Sequence, residues 1–268
     1  MLEALSMTFF QNALLAGVLA SVACGVIGSL VVVNRQVFMA GGVAHAAYGG
    51  VGLAFYLSLP VLPCAVVFTA LAAVITAHFT FDQRERTDSF VGVLWASGMA
   101  LGVILINLTP GYNVDLMSYL FGSILAVPRS DLWIMLALDM LIVAVIFSRY
   151  QDFLSLSFDM EFARARGVPV KGLYALMLVM VAVSVVMVIQ VVGLVLIIAL
   201  LTIPAMLAET GARSLAHMML AASLYCLLFC LLGLAFAYQF DLASGASIIA
   251  VAAATYFAVR LVQLARSR

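Results

Sequence analysis

The chain has 268 residues, of which 66% are hydrophobic and 9% charged, and its twelve basic and twelve acidic residues balance to zero. A chain with no net positive charge has no electrostatic footprint for nucleic acid. Apolar runs of about 20 residues, enough to cross about 30 Å of hydrocarbon as helix, recur throughout. They are continuously apolar, as in LVMVAVSVVMVIQVVGLVLIIALL, which excludes the alternating pattern of a transmembrane β-barrel. The expected fold is all-α, a polytopic helical membrane protein forming one transmembrane domain over residues 1–268.

Basic residues collect on the cytoplasmic side of membrane proteins, so the spans are placed where they give the strongest asymmetry. Spans over 9–33, 38–57, 62–81, 89–108, 132–148, 173–190, 193–209, 216–238 and 245–264 put the N-terminus outside and the C-terminus inside. Eleven of the twelve Lys and Arg residues then face the cytoplasm, with Arg129 the exception. The count falls from nine to eight if one of the Gly-broken segments is not a true crossing. The first dozen residues carry Glu3 and no basic stretch, so the first helix is expected to stay as an anchor.

The second span, FMAGGVAHAAYGGVGL, holds Gly41, Gly42 and, in mid-membrane, His45. Glycines at membrane depth mark either a broken helix lining a pathway or a close helix contact. The added imidazole favours the pathway, because a neutral ring can offer one nitrogen to a divalent ion while the other holds a hydrogen bond. The other reading is a structural histidine bonded to a neighbouring helix.

Further along, Asp115 falls at an outer helix end, where a carboxylate can attract a cation or simply be solvated. Residues 116–128, LMSYLFGSILAVP, are too short to cross and are expected to form a re-entrant outer helix around Gly122. Asp139 lies near the centre of LWIMLALDMLIVAVIF, where an unpaired carboxylate costs at least about 2.5 kcal/mol. The segment SLSFDMEFARARGVPVKG, within a loop over about 150–172, is the one sizeable polar island. It predicts a short cytoplasmic helix ending at Gly167 and Pro169. Gly193 and Pro204 interrupt the seventh apolar run, a second candidate broken helix, and Asp241 sits at another outer end. Cys24, Cys64, Cys226 and Cys230 all fall in or beside apolar runs and read as small buried hydrophobes. The sequence contains no GxxxxGK[ST], HExxH or GxSxG, so a nucleotide engine would have to come from another subunit.

Five blocks in order, GVIGSLVVVNRQVFMAGGVAHAAYGG, DLMSYLFGSILAVPRSDL, DMEFARARGVPV, VVGLVLIIALLTIPAMLAE and FDLASGASI, resemble the permease subunits of bacterial zinc and manganese ABC importers. The resemblance covers essentially the whole chain. It implies a homodimer in the bacterial cytoplasmic membrane with the pathway along the subunit interface, two cytoplasmic ATPase subunits that bind ATP, and an extracytoplasmic metal-binding protein. It also implies that the chain holds no cofactor, moves a divalent metal as cargo and is not an enzyme.

On that resemblance His45 is the pathway histidine, with Asp241, Asp115 and Asp139 as further candidate contacts of the ion. Asp159, Glu161, Ala163, Arg164 and Gly167 fall in the segment matching the coupling helix, and Gly41, Gly42, Gly122 and Pro204 are the gating positions. Many members carry an aspartate where this chain has Gly41. Losing that oxygen ligand favours zinc over manganese or iron. The residues alone leave two rivals: an ion-coupled carrier working without an ATPase, and an intramembrane enzyme, for which no nucleophile and base are apparent.

Overall fold

The computed structural model describes residues 7–81, 87–109, 122, 124–194 and 196–266, residue 266 by its backbone only. The helices are α1 (Thr8–Val33), α2 (Val37–Tyr56), α3 (Val61–Thr80), α4 (Thr87–Asn107), α5 (Arg129–Ser148), α6 (Tyr150–Phe158), α7 (Met160–Ala165), α8 (Val170–Val192), α9 (Ile197–Glu209), α10 (Leu215–Phe240) and α11 (Ser244–Arg266). A 3-10 turn, Ile124–Ala126, precedes α5. Among the described residues there is no strand, and eight helices are long and apolar enough to cross a membrane.

Eight is the lower of the two counts the sequence allows, and the segment 193–209 accounts for the difference. Gly193 takes φ +85 and ends α8, so α9 begins only at Ile197. Its 13 residues reach about 20 Å, short of the hydrocarbon thickness. Pro204 lies inside α9, where its ring nitrogen leaves the carbonyl four residues back without a helical donor.

The chain divides into two compact units. The first takes Met1–Val32, Met117–Leu136 and Val188–Arg268, and the second takes Val33–Leu116 and Ala137–Met187. Small residues let the helices of the first unit approach closely, since lipid tails supply little hydrophobic drive between helices. A side chain at Gly28 of α1 would meet the backbone of Leu201 in α9, and one at Gly25 would meet Ser223 in α10. Gly233 of α10 faces Ile248 of α11 in the same way.

In the second unit α2 lies between α3 and α4, and it is the most enclosed of the eight spans. Gly42 faces Val91, Ala46 faces Gly98, and Gly52 faces Gly102, so α2 and α4 run parallel. On another side of α2, Gly50 meets Ala65 and Phe68 of α3. The second span is therefore an unbroken helix over Val37–Tyr56, and the expectation of a break at Gly41 and Gly42 is corrected. Its glycines keep their helical hydrogen bonds because neighbouring helices fill the space a side chain would take.

Thr69, Thr76 and Thr80 of α3 donate to carbonyls one turn back, at 2.7, 2.7 and 2.8 Å, so their buried hydroxyls are satisfied without a partner helix. Thr80 also meets the Tyr174 hydroxyl of α8 at 3.2 Å.

Candidate metal pathway and docking segment

His45 projects from α2 as a half-buried ring. Its Nδ1 lies 2.8 Å from the Gly41 carbonyl oxygen one turn back. A carbonyl only accepts, so Nδ1 carries the proton and donates, and Nε2 keeps its lone pair. A metal ion reaching this ring would therefore meet Nε2. The ring lies nearly flat against Trp95 of α4, with centroids 3.7 Å apart and planes 23° from parallel. Phe38, two turns before His45, also meets Trp95, tilted 48° with ring centroids 6.5 Å apart.

The row from His45 through Trp95 to Phe38 leads to a cavity of about 490 Å³ at the N-terminal ends of α2 and α4. Asn34, Arg35, Gln36 and Asp88 give it polar walls, and Ser157 and Met160 bring it beside the loop segment. Among the described residues no three His, Cys, Asp or Glu side chains are gathered closely enough to hold a metal ion. One imidazole is what this part of the chain offers.

Among the described residues no hydrogen bond or ion pair joins Asp139 to His45. Asp139 is 4% exposed on the buried stripe of α5, with Leu132, Met135, Ile142 and Ile146. Neither of its carboxyl oxygens has a hydrogen-bond partner among the described residues. Asp241 is exposed and follows α10 with φ +52, while Leu242 N–H donates to the Ala237 carbonyl at 3.1 Å. That is the left-handed residue closing a helix, a position aspartate tolerates. Asp115 lies outside the described residues, as does most of the 116–128 segment.

Gly122 has φ +65, and a side chain there would run into the backbone of Val192 and Gly193. Two side chains near these sites carry no mark in the sequence. Gln190, in the same unit as Gly122, donates from Nε2 to Asp131 Oδ2 at 2.9 Å. Trp95 reads in sequence as one more apolar residue of the fourth span.

The polar island forms α6 and α7. Asp159 caps α7, its Oδ1 accepting the Phe162 N–H at 2.9 Å. At the other end Gly167 takes φ +77, while its N–H donates to Arg164 O at 2.9 Å and Val168 N–H donates to Ala163 O at 3.1 Å. These two bonds form a Schellman closure. Ala163 is fully buried, whereas Phe158 and Phe162 are 71% and 54% exposed. Glu161 and Arg164 approach at 3.4 Å as an exposed pair worth little to stability. Arg164 and Lys171 lie 5.6 and 5.2 Å from the Phe81 ring, holding the segment to the end of α3. Asn34 donates to Ser157 Oγ at 2.9 Å, tying α6 to the turn that starts α2. The short helix is thus pinned on one side and presents aromatic and charged side chains on the other.

A set of apolar spans, a histidine on an enclosed helix and a capped polar helix outside the spans define a membrane transport subunit. The chain matches the model of the ABC 3 transport family over residues 6–263. It is 48% identical to the membrane protein slr2045 of Synechocystis, over 96% of this chain and 91% of that one. It is also 33% identical to the manganese transport system membrane protein MntC of Halalkalibacterium halodurans, over 96% and 88%. Among solved structures it is similar to PsaBC from Streptococcus pneumoniae in complex with a Fab, with TM-score 0.86 and 33% identity, covering 96% of this chain and 92% of that one.

The chain belongs to the ABC 3 transport family, as a membrane permease that works in an ABC transporter complex with other subunits and is not itself an enzyme. The carrier that works without an ATPase and the intramembrane enzyme are set aside by that membership.

Proposed function

We propose that this permease forms the membrane path of an ATP-driven importer of divalent transition metal ions, with zinc favoured over manganese or iron. The observation that carries the reading is the His45 ring, whose Gly41 bond leaves Nε2 free on an enclosed helix. A single imidazole nitrogen with no carboxylate one turn away suits a borderline ion better than a hard one. The manganese transport name of the MntC relative supports manganese as the second reading.

Two copies in the bacterial cytoplasmic membrane, N-terminus outside and C-terminus inside, would supply one His45 each. Each chain would work as one permease domain. A metal-binding protein would deliver the ion from outside, and two ATPase subunits would bind α7 through Phe158, Phe162 and the charged residues beside them. Movement of α7 would reach α2 through Ser157 and Asn34, and the ion would leave through the polar cavity at the base of α2 and α4. Asp241, Asp115 and Asp139 would be the further contacts on the ion's route, Asp139 because its oxygens lack partners among the described residues where an ionised group is costly. No resident cofactor is required, the metal being cargo and ATP belonging to the partner.

The test is uptake of radioactive zinc and manganese into proteoliposomes holding the permease, its ATPase and its binding protein. Zinc uptake should require ATP and fall by at least about tenfold in His45→Ala, the loss of one good ligand. Zinc uptake unchanged in that variant would remove His45 from the path. Manganese uptake without zinc uptake would select the second reading. In the same vesicles Asp159→Ala, which removes a cap worth about 1 kcal/mol, should raise the ATP hydrolysed per ion moved while the complex stays assembled. An unchanged ratio would detach α7 from coupling.

A further inference from the structure

We propose that Trp95 is a positioning residue for His45, holding the imidazole so that Nε2 is presented to the ion. The proposal rests on the reading of His45 as the ion's ligand. Two contacts fix the ring from different directions: the Gly41 carbonyl takes Nδ1–H at 2.8 Å, and the Trp95 indole covers one face at 3.7 Å.

An unsupported histidine on a helix swings about two torsions and loses that freedom when it binds. A ring already held makes no such loss at the moment of binding. The indole also discriminates between the empty and loaded states. A metal on Nε2 draws electron density from the imidazole, and the electron-rich face of tryptophan stabilises the more positive ring.

Trp95 is itself held, because α4 and α2 meet on either side of it. Gly42 faces Val91 one turn earlier, and Ala46 faces Gly98 almost one turn later. The glycines of this helix pair therefore serve the site indirectly, by bringing the two rings within stacking distance.

The experiment uses the assembled complex in a Trp133→Phe background, which leaves Trp95 as the sole tryptophan of the permease. Trp133 is 71% exposed on α5. Zinc chloride should change the Trp95 emission saturably, and the change should vanish in His45→Ala.

In transport, Trp95→Phe keeps a stacking ring and should hold the zinc KM within about twofold. Trp95→Leu keeps bulk without the ring and should raise KM about three- to tenfold with the maximal rate little changed, the size of one aromatic stacking contact. A wild-type zinc KM in His45→Ala would overturn the His45 reading and this proposal with it. An impaired His45→Ala beside a Trp95→Leu variant of wild-type KM would overturn the role of Trp95 alone. Should Trp95→Leu fail to assemble, the emission titration decides. A zinc response that is absent, or that survives His45→Ala, overturns the proposal.

Discussion

Residues 38–57 and 193–209 carry the same sequence signal, glycine or proline inside an apolar run, yet one is an unbroken helix and the other starts with a break. The difference lies in what each glycine faces. In α2 the glycines meet Val91, Gly102 and Phe68 of adjoining helices, and the helical backbone survives because the neighbours supply the missing volume. At Gly193 the backbone itself turns, with φ +85, to let Gly122 approach. A glycine in a membrane helix is thus a contact device when its φ is helical and a hinge when it is not.

The sharpest way to break this comparison is Gly52→Val. Its Cβ would stand 2.6 and 2.7 Å from the Gly102 carbonyl oxygen and Cα, backbone atoms that cannot swing aside. A loss of about 3 kcal/mol or more is expected, seen as a collapse of folded yield and of the thermal transition in detergent. A stable, fully assembled Gly52→Val protein would mean that α2 and α4 are not closely packed.

Gly193→Ala comes next. Left-handed backbone costs a residue with a Cβ about 1–2 kcal/mol, so a lower transition temperature is expected with the protein still folded. An unchanged temperature would show that the break needs no glycine. The smallest effect has the opposite sign. Gly92 sits inside α4 with open space where a side chain would begin, no atom of the described residues beyond its own turn of helix lying within 4 Å of that point. Gly92→Ala should therefore gain about 0.5–1 kcal/mol from helix propensity alone and raise the transition temperature slightly. A fall there would reveal a neighbour on that face.

Much of the architecture was legible in the residues. The end of α7 followed from Gly167, whose capping chemistry is local and acts within a few residues, while the Asp159 cap at its start came from the structure. The candidate site was less legible. His45 could be singled out because an imidazole in hydrocarbon is conspicuous, but its available nitrogen depends on a 2.8 Å bond to Gly41 that only helical geometry makes. Trp95 was hidden because tryptophan in an apolar run carries no signal until the helix beside it is known. Asp241 also closes α10 in a left-handed conformation, a backbone role that the residue type alone leaves open.

By itself the sequence determined the class: long apolar runs must form helices that satisfy their own backbone in lipid, so the helical class and the rough limits of most spans follow from composition and length. Charge distribution set the expected orientation, and one polar island marked the segment that forms α6 and α7. Tertiary structure alone decided which glycines pack and which turn, that 193–209 is too short to span, and that His45 and Trp95 lie face to face across two parallel helices. The packing choices depend on contacts between residues far apart in the chain, such as His45 with Trp95, Gly122 with Gly193 and Gly28 with Leu201. Apolar periodicity shows that a helix is buried, but the neighbour it is buried against is fixed by the shape of both surfaces together.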